Sequence, residues 1–437
     1  MLAQLLDHLR GKRIVLLGFG REGRSSLAFL RRHFPVAPVL IADRNPIEAD
    51  DAHAELLCGE NYLEALDRCE LCIKSPGISL RGVALARRME LTCQSDLFLR
   101  FAPCVKVGVT GSKGKTTTAT LIYDMLATSG TQARLIGNMG LPVLDYIERI
   151  EGEIAVMELS SHQLEFCTAS PQIAVWTNLY EEHLDHYNGG FAGYAAAKAH
   201  ICTFQSPEDV LFFNAQQYPA ALTDISACKA QRVPIAAAAQ AQSGFLRTME
   251  ISNPRLRGEH NRQDVYFAAA AAQRLGATEE GIRHAVEAFQ GNPHRLEPIG
   301  DFGGIHWVDD CIATIPRAVL CSIDALGDVD SLILGGLDRG LDYNDFVTAL
   351  EQRPLRNLIC LPDTGHSIAG LLRHTDSPKR VFTVESLEEA VALAFRYTEK
   401  GKSCLLSPAA ASYNRYKDFE EKGLHFARLV RAQGNQK

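Results

Sequence analysis

One octapeptide, Thr110-Gly111-Ser112-Lys113-Gly114-Lys115-Thr116-Thr117, narrows the folds open to this chain more than any other segment. The apolar run Val105 to Val109 precedes it, and the helix-like stretch Thr118 to Leu126 follows it. A strand, a glycine loop and a helix in that order belong in a parallel α/β sheet, because parallel strands need a crossover connection. Glycines let backbone N–H groups close around phosphate oxygens, and the helix N-terminus adds the positive end of its dipole. Lys115 can reach the outer phosphates, and the Thr116 hydroxyl can ligate Mg2+. The spacing G-x-x-G-K-T, counted from Gly111, is shorter than G-x-x-x-x-G-K-[ST], and a chance glycine turn is the competing reading. The context favours a nucleotide site formed by Gly111, Ser112, Lys113, Gly114, Lys115, Thr116 and Thr117.

Three blocks emerge along the 437 residues. The first, residues 1–103, has strand candidates at Ile14 to Leu17, Val39 to Ala42 and Leu71 to Ile73. The second, 104–296, adds Ile154 to Met157, Ile173 to Trp176 and Val210 to Phe213, and an alanine-rich helix over Tyr266 to Leu275. The third, 297–437, has Ile305 to Val308, Leu332 to Leu334, Leu358 to Leu361 and Ser403 to Leu406. Strands alternating with helical patterns predict α/β domains. The expected order is a Rossmann-like N-terminal domain, a central P-loop ATPase-like parallel sheet and a Rossmann-like C-terminal domain.

In the first block, Gly18-Phe19-Gly20-Arg21-Glu22-Gly23 matches G-x-G-x-x-G after a strand, with Asp43 about 20 residues on. Such a turn holds any diphosphate. With a separate ATP loop downstream, a nucleotide-sugar diphosphate is favoured over NAD and over a structural turn.

Two polar clusters follow strands of the second block. Glu158-Leu159-Ser160-Ser161-His162-Gln163 places a carboxylate at a strand's C-terminal end, a suitable position for a metal ion. Thr177-Asn178-Leu179-Tyr180-Glu181-Glu182-His183-Leu184-Asp185 places His183 just past the next strand. A lone histidine is more often a satisfied surface or core residue, but the paired clusters favour a ligand or catalytic role. Lys198 lies in an apolar helical stretch, where composition alone favours a snorkelling lysine.

The formal net charge of −7, without like-charge blocks, argues against a nucleic-acid or membrane-surface binder. No apolar run reaches the roughly 18–20 residues of a membrane span, and the start has no signal-peptide core. A cytoplasmic protein is expected, with its 12 cysteines reduced. Cys69 and Cys72 form a lone C-x-x-C, read as small hydrophobes and not as a metal or redox site.

Read together, the motifs resemble the Mur ligase family over Gly18 to Phe426. The carriers are T-G-S-K-G-K-T at Thr110 to Thr116, E-L-S-S-H-Q-L-E at Glu158 to Glu165 and T-N-x-x-E-x-H-L-D at Thr177 to Asp185. G-x-H-N at Gly258 to Asn261, P-H-R-L-E at Pro293 to Glu297, G-G-L-D-R-G at Gly335 to Gly340 and L-S-P-A-x-A-S at Leu406 to Ser412 complete the set. The resemblance implies a monomeric peptidoglycan-precursor ligase with domains for a uridine nucleotide, for ATP and for an amino acid. Within the family it points to addition of D-glutamate to UDP-N-acetylmuramoyl-L-alanine. It implies attack of the substrate carboxylate on the γ-phosphate and then of the glutamate amine on the acyl phosphate.

The resemblance also implies roles. Lys115 holds the β- and γ-phosphates. Thr116 and Glu158 bind one Mg2+ and His183 a second, aided by a carbamylated Lys198. Asn138 contacts the substrate near its reacting end, with Ser160 in the same site. Asn261, Arg295 and Asp310 surround the ATP. Gly18, Gly20, Arg21, Asp43, Arg44, Ser75 and Gly77 grip the uridine diphosphate. Thr314, Arg339, Ser412 and Phe419 receive the glutamate.

Two positions depart from the family. Where D-S-K-A-T-N is common, this chain has Asp310-Cys311-Ile312-Ala313-Thr314-Ile315 followed by Pro316. Ile312 cannot replace a lysine facing a carboxylate, so either Arg339 supplies the charge or the amino acid sits differently. Related ligases that add L-glutamate show similar I-x-T-x-P sequences, which keeps L-glutamate as an alternative. Asp264 stands where asparagine is common. A folylpolyglutamate synthase-like activity is a further alternative, opposed by the diphosphate turn of the first block.

Overall fold

The protein is described from a computed structural model. It covers all residues except 86–88, 138–141, 183–184, 215, 217–227, 240–243, 257, 339–341, 373–377, 413–414 and 436–437. The chain divides into two compact units, Met1–Phe289 and Gln290–Lys437.

The first unit holds two sheets. Strands β1 Ile14–Leu17, β2 Val39–Asp43, β3 Ala54–Cys58, β4 Leu71–Lys74 and β5 Glu90–Thr92 pair in parallel in the order β3-β2-β1-β4-β5. The order reverses between β1 and β4, so the loops after these strands open a crevice at the C-terminal edge of the sheet. The glycine turn and Ser75 lie there.

Strands β6 Val105–Thr110, β7 Ala133–Gly137, β8 Ile154–Glu158, β9 Ile173–Trp176, β10 Val210–Asn214 and β11 Gln231–Ile235 form the second parallel sheet. Its order is β11-β10-β9-β6-β8-β7. β8, β6 and β9 are therefore neighbours, and the segments that leave their C-terminal ends are neighbours too. Apolar β-branched residues fill these strands because both faces are covered. Val107, Val109, Val156 and Val175 are buried against the helices Lys115–Thr128 and Glu259–Arg274. Ala268, Ala269, Ala271 and Ala272 are buried on the second helix, and their small side chains let it lie close to the first. Full burial of one such valine contributes about 1.5–3 kcal/mol.

The second unit has one sheet of β12 Glu297–Phe302, β13 Ile305–Asp309, β14 Val329–Gly336, β15 Asn357–Asp363, β16 Arg380–Thr383 and β17 Ser403–Leu406. The order is β12-β13-β17-β14-β15-β16, with only β12 and β13 antiparallel. All twelve cysteines are free thiols. Cys69 and Cys72 are buried, and burial pushes the Cys69 thiol up to about 11 and Cys72 higher still. No described helix is long and apolar enough to cross a membrane.

Candidate active site

β6 ends in the phosphate-type loop, and the helix Lys115–Thr128 starts directly from it. Gly114 caps that helix at φ +82°, a backbone angle that side chains rarely tolerate. A Cβ on Gly114 would stand 2.3 Å from Asp264 Oδ1, and one on Gly111 2.0 Å from Thr177 Oγ1. The loop is thus pressed between the end of β9 and the helix that carries Asn261 and Asp264.

Polar bonds fix its course. Ser112 N donates to Asn178 O (3.0 Å), and Lys113 N donates to Asn178 Oδ1 (2.7 Å). Asn178 Nδ2 and Thr177 Oγ1 both donate to Lys113 O, at 3.0 and 2.6 Å. The Ser112 hydroxyl meets Tyr194 Oη at 2.8 Å, and Lys113 Nζ pairs with Glu182 at 2.5 Å. Lys115 curls over the loop, its Nζ donating to Gly111 O (2.9 Å) and Ser112 O (3.0 Å). Thr116 Oγ1 donates to Glu158 Oε2 at 2.9 Å, with Glu158 buried at the end of β8.

Lys198 comes from the helix Phe191–Thr203 and is 1% exposed. Its Nζ donates to Gly111 O at 2.9 Å, the same carbonyl that Lys115 engages. Burial, and then the charge of Lys115, hold the Lys198 amine well below the usual lysine range, against the pull of Glu182 and Glu158. An amine kept from protonation is a nucleophile and can take up CO2 as a carbamate. The site thus suits the groups implied by its sequence. The glycine cradle leaves no room for a side chain, and Thr116 and Glu158 offer the hard oxygen donors that Mg2+ prefers.

In the first sheet, Gly18 (φ +90°) follows β1, and a Cβ there would meet Ser75 Cβ at 2.8 Å. Ser75 Oγ donates to Gly18 O at 2.9 Å, which joins the two loops of the crevice. Asp43 turns its carboxylate to the glycine turn, accepting from Phe19 N at 2.8 Å. Gly20 caps the helix Arg21–His33, and Arg21, Arg44 and Gly77 are exposed. Ser160 caps the short helix Ser161–Leu164 in a reciprocal pair with Gln163.

The remaining residues lie in the second unit. Asp310 is buried and accepts from Ser322 Oγ (2.6 Å), Ser407 Oγ (2.7 Å) and Leu296 N (3.2 Å). Burial pushes its carboxyl up to about 6. Arg295 lies between His294 and Leu296, both at positive φ. Arg295 Nε and the buried Ser412 hydroxyl have no hydrogen-bond partner among the described residues. Thr314 is half-buried, and Phe419 opens the helix Phe419–Gly434. Asn138, His183 and Arg339 lie outside the described residues.

The motifs brought Lys115, Thr116 and Glu158 into one neighbourhood, and only the family resemblance added Lys198. Sequence reasoning passed over Asn178, Tyr194 and Glu182 as separate contributors to the loop. The Thr177-Asn178 pair at a strand end was the available signal for the first, and no periodicity marks the other two.

The family model described as the Mur ligase middle domain matches residues 109–271. The UDP-N-acetylmuramoylalanine--D-glutamate ligase of Shouchella clausii is 31% identical, over 97% of this chain and 98% of its own. The UDP-N-acetylmuramoyl-L-alanine--L-glutamate ligase of Salinispora tropica is 34% identical, over 98% and 99%. The crystal structure of MurF from Acinetobacter baumannii superposes with a TM-score of 0.61 at 18% identity, covering 98% of each chain, and shows the shared fold. With the phosphate loop, the carboxylate and the buried lysine joined at one sheet edge and relatives matched along nearly all of its length, this chain belongs to the Mur ligase family of ATP-dependent ligases.

Proposed function

We propose that this chain uses ATP to join D-glutamate to UDP-N-acetylmuramoyl-L-alanine, as a monomer in the cytoplasm. The observation that carries this reading is the meeting of Lys115, Thr116, Glu158 and Lys198 around one glycine loop. The Shouchella relative's name supplies the substrates. Residues 1–103 serve as the domain for the uridine nucleotide, 104–296 for ATP and 297–437 for the amino acid.

In this reading Lys115 exchanges the carbonyls of Gly111 and Ser112 for the outer phosphates of ATP. Thr116 and Glu158 hold one Mg2+, and His183 with carbamylated Lys198 a second. Mg2+, when bound, supplies positive charge against that gathering on the transferring phosphoryl group. Asn261, Arg295 and Asp310 hold the rest of the ATP. Gly18, Gly20, Arg21, Asp43, Arg44, Ser75 and Gly77 hold the uridine diphosphate, and Asn138 and Ser160 orient its acyl end. A carboxylate oxygen of the substrate bonds to the γ-phosphorus as ADP leaves. The glutamate amine, placed by Thr314, Arg339, Ser412 and Phe419, then attacks the acyl carbon. Phosphate departs, and the amine loses a proton.

A second reading, addition of L-glutamate, is favoured by Ile312 and by the 34% identity to the Salinispora ligase. ADP release with UDP-N-acetylmuramoyl-L-alanine and either enantiomer separates the two. Faster release with D-glutamate is expected, a preference for L-glutamate installs the second reading, and equal rates sink a stereospecific site.

A further inference from the structure

One group of ionisable side chains stands outside the reaction as derived. It lies within the first unit, between the first and second sheets. Lys74 ends β4, one residue before Ser75, and is 2% exposed. Its Nζ donates to Ser75 O and to Pro76 O, both at 3.3 Å. Lys74 thus grips the backbone of Ser75-Pro76-Gly77, the loop assigned to the uridine diphosphate. The same Nζ lies 3.7 Å from Glu165 Oε2 and 5.4 Å from the centre of the Phe166 ring.

Glu165 Oε2 lies 3.3 Å from His186 Nε2. Glu165 follows the helix Ser161–Leu164, on the segment that begins at Glu158. His186 lies three residues past His183. Lys74, Glu165 and His186 therefore connect the nucleotide-sugar loop to both segments that carry proposed metal ligands. Three further bonds tie the loop to the second segment. Ser79 Oγ donates to His186 O (2.7 Å), Arg81 Nη1 to Asp185 O (3.1 Å) and Gly82 N to Asn188 Oδ1 (3.0 Å).

An ammonium buried this far is opposed by desolvation, and an apolar side chain would be easier to bury at the same place. Burial lowers the Lys74 amine's pKa, and Glu165 pulls it back. A lysine at so buried a place, gripping two loop carbonyls, suits a role that an apolar residue could not fill.

We infer that Lys74 is a positioning residue that couples the nucleotide-sugar loop to the metal-binding segments through Glu165 and His186, so that nucleotide sugar and Mg2+ strengthen each other's binding. The inference rests on the function proposed above. Coupling of this kind is reciprocal: the factor by which Mg2+ tightens the nucleotide is the factor by which the nucleotide tightens Mg2+.

Calorimetry on the full chain tests it. The Kd of UDP-N-acetylmuramoyl-L-alanine is measured with a non-hydrolysable ATP analogue, once with Mg2+ and once with EDTA. The wild type should bind about fivefold or more tightly with Mg2+. Lys74→Met should bring that ratio close to one while the affinity for the ATP analogue stays within about twofold. Lys74→Met/Glu165→Gln removes the stranded carboxylate, and should regain thermal stability without regaining the ratio. A double variant that regains both, or a Lys74→Met protein with the wild-type ratio, overturns the inference. If Lys74→Met does not fold, Glu165→Gln alone takes its place, because it breaks the same link between Lys74 and His186, and an unchanged ratio there also overturns it. A wild type that binds the nucleotide without any effect of Mg2+ refutes the coupling alone. One that does not bind the nucleotide refutes the proposed function as well.

Discussion

Substituting Gly111 by alanine should damage the phosphate loop while leaving the protein folded. The backbone there has φ +150°, a conformation that costs a non-glycine residue about 1–3 kcal/mol. The new Cβ would also stand 2.0 Å from Thr177 Oγ1, with Asn178 N and O at 3.1 and 3.2 Å. Thr177 cannot yield without loss, because its single hydroxyl proton goes to Lys113 O at 2.6 Å. Losing that bond costs about 1 kcal/mol. The sum is about 2–4 kcal/mol, against a total stability of roughly 5–15 kcal/mol for a typical domain. The Gly111 carbonyl moves with the strain, and both Lys115 and Lys198 are held by it. ADP release should therefore fall by about 100-fold or more, the equivalent of roughly 2.7 kcal/mol. Gly130→Ala is the control. It also has positive φ (+78°), but nothing lies within 4 Å of its Cβ position, so only about 1–2 kcal/mol of backbone strain applies. Thermal unfolding and a coupled ADP assay on both variants decide the matter. A Gly111→Ala enzyme that matches Gly130→Ala in Tm and ATP turnover would refute the steric account.

Three other outcomes are expected. Lys115→Met should abolish ATP-dependent phosphate release; retained release in a malachite green assay refutes the phosphate-loop assignment. Lys198→Ala should lose most activity and recover part of it with a short added carboxylate such as acetate, whereas a wild-type rate without rescue refutes the carbamate. Glu22→Gln tests a buried carboxyl that desolvation raises to about 7. Between pH 4.5 and 7 the native acid stays protonated while the unfolded one ionises, so wild-type stability falls as pH rises through that window. The glutamine variant lacks this loss and should be more stable than wild type at pH 8, by up to about 3 kcal/mol, and not at pH 4. Equal urea midpoints at pH 8 would refute it.

The strands legible in the sequence share one property. β1, β2, β4, β6, β8, β9, β10, β13, β14, β15 and β17 were each marked by a short apolar run, and each lies inside its sheet. The six strands without such a mark, β3, β5, β7, β11, β12 and β16, are the six edges. A parallel strand covered on both faces must be apolar throughout. An edge strand such as Arg380–Thr383 or Gln231–Ile235 is partly exposed and reads as loop.

The phosphate loop was legible because its chemistry is local: glycines at fixed offsets, a lysine and a threonine, a strand before and a helix after. The environment of Lys198 was not. Composition favoured a lysine snorkelling to water, yet the fold buries it and aims it at the Gly111 carbonyl. Its lowered basicity arises first from burial and then from the charge of Lys115, 83 positions away, against the pull of Glu182 and Glu158. Lys74 and Glu165, 91 positions apart, meet for the same reason. The sequence by itself determined the interior strands and the loop's fitness for phosphate, because backbone preference and hydrophobic period act between near neighbours. Only the tertiary structure decided the sheet order, the edges and which charges lie out of water, because desolvation and Coulomb energies depend on what the fold brings from far along the chain.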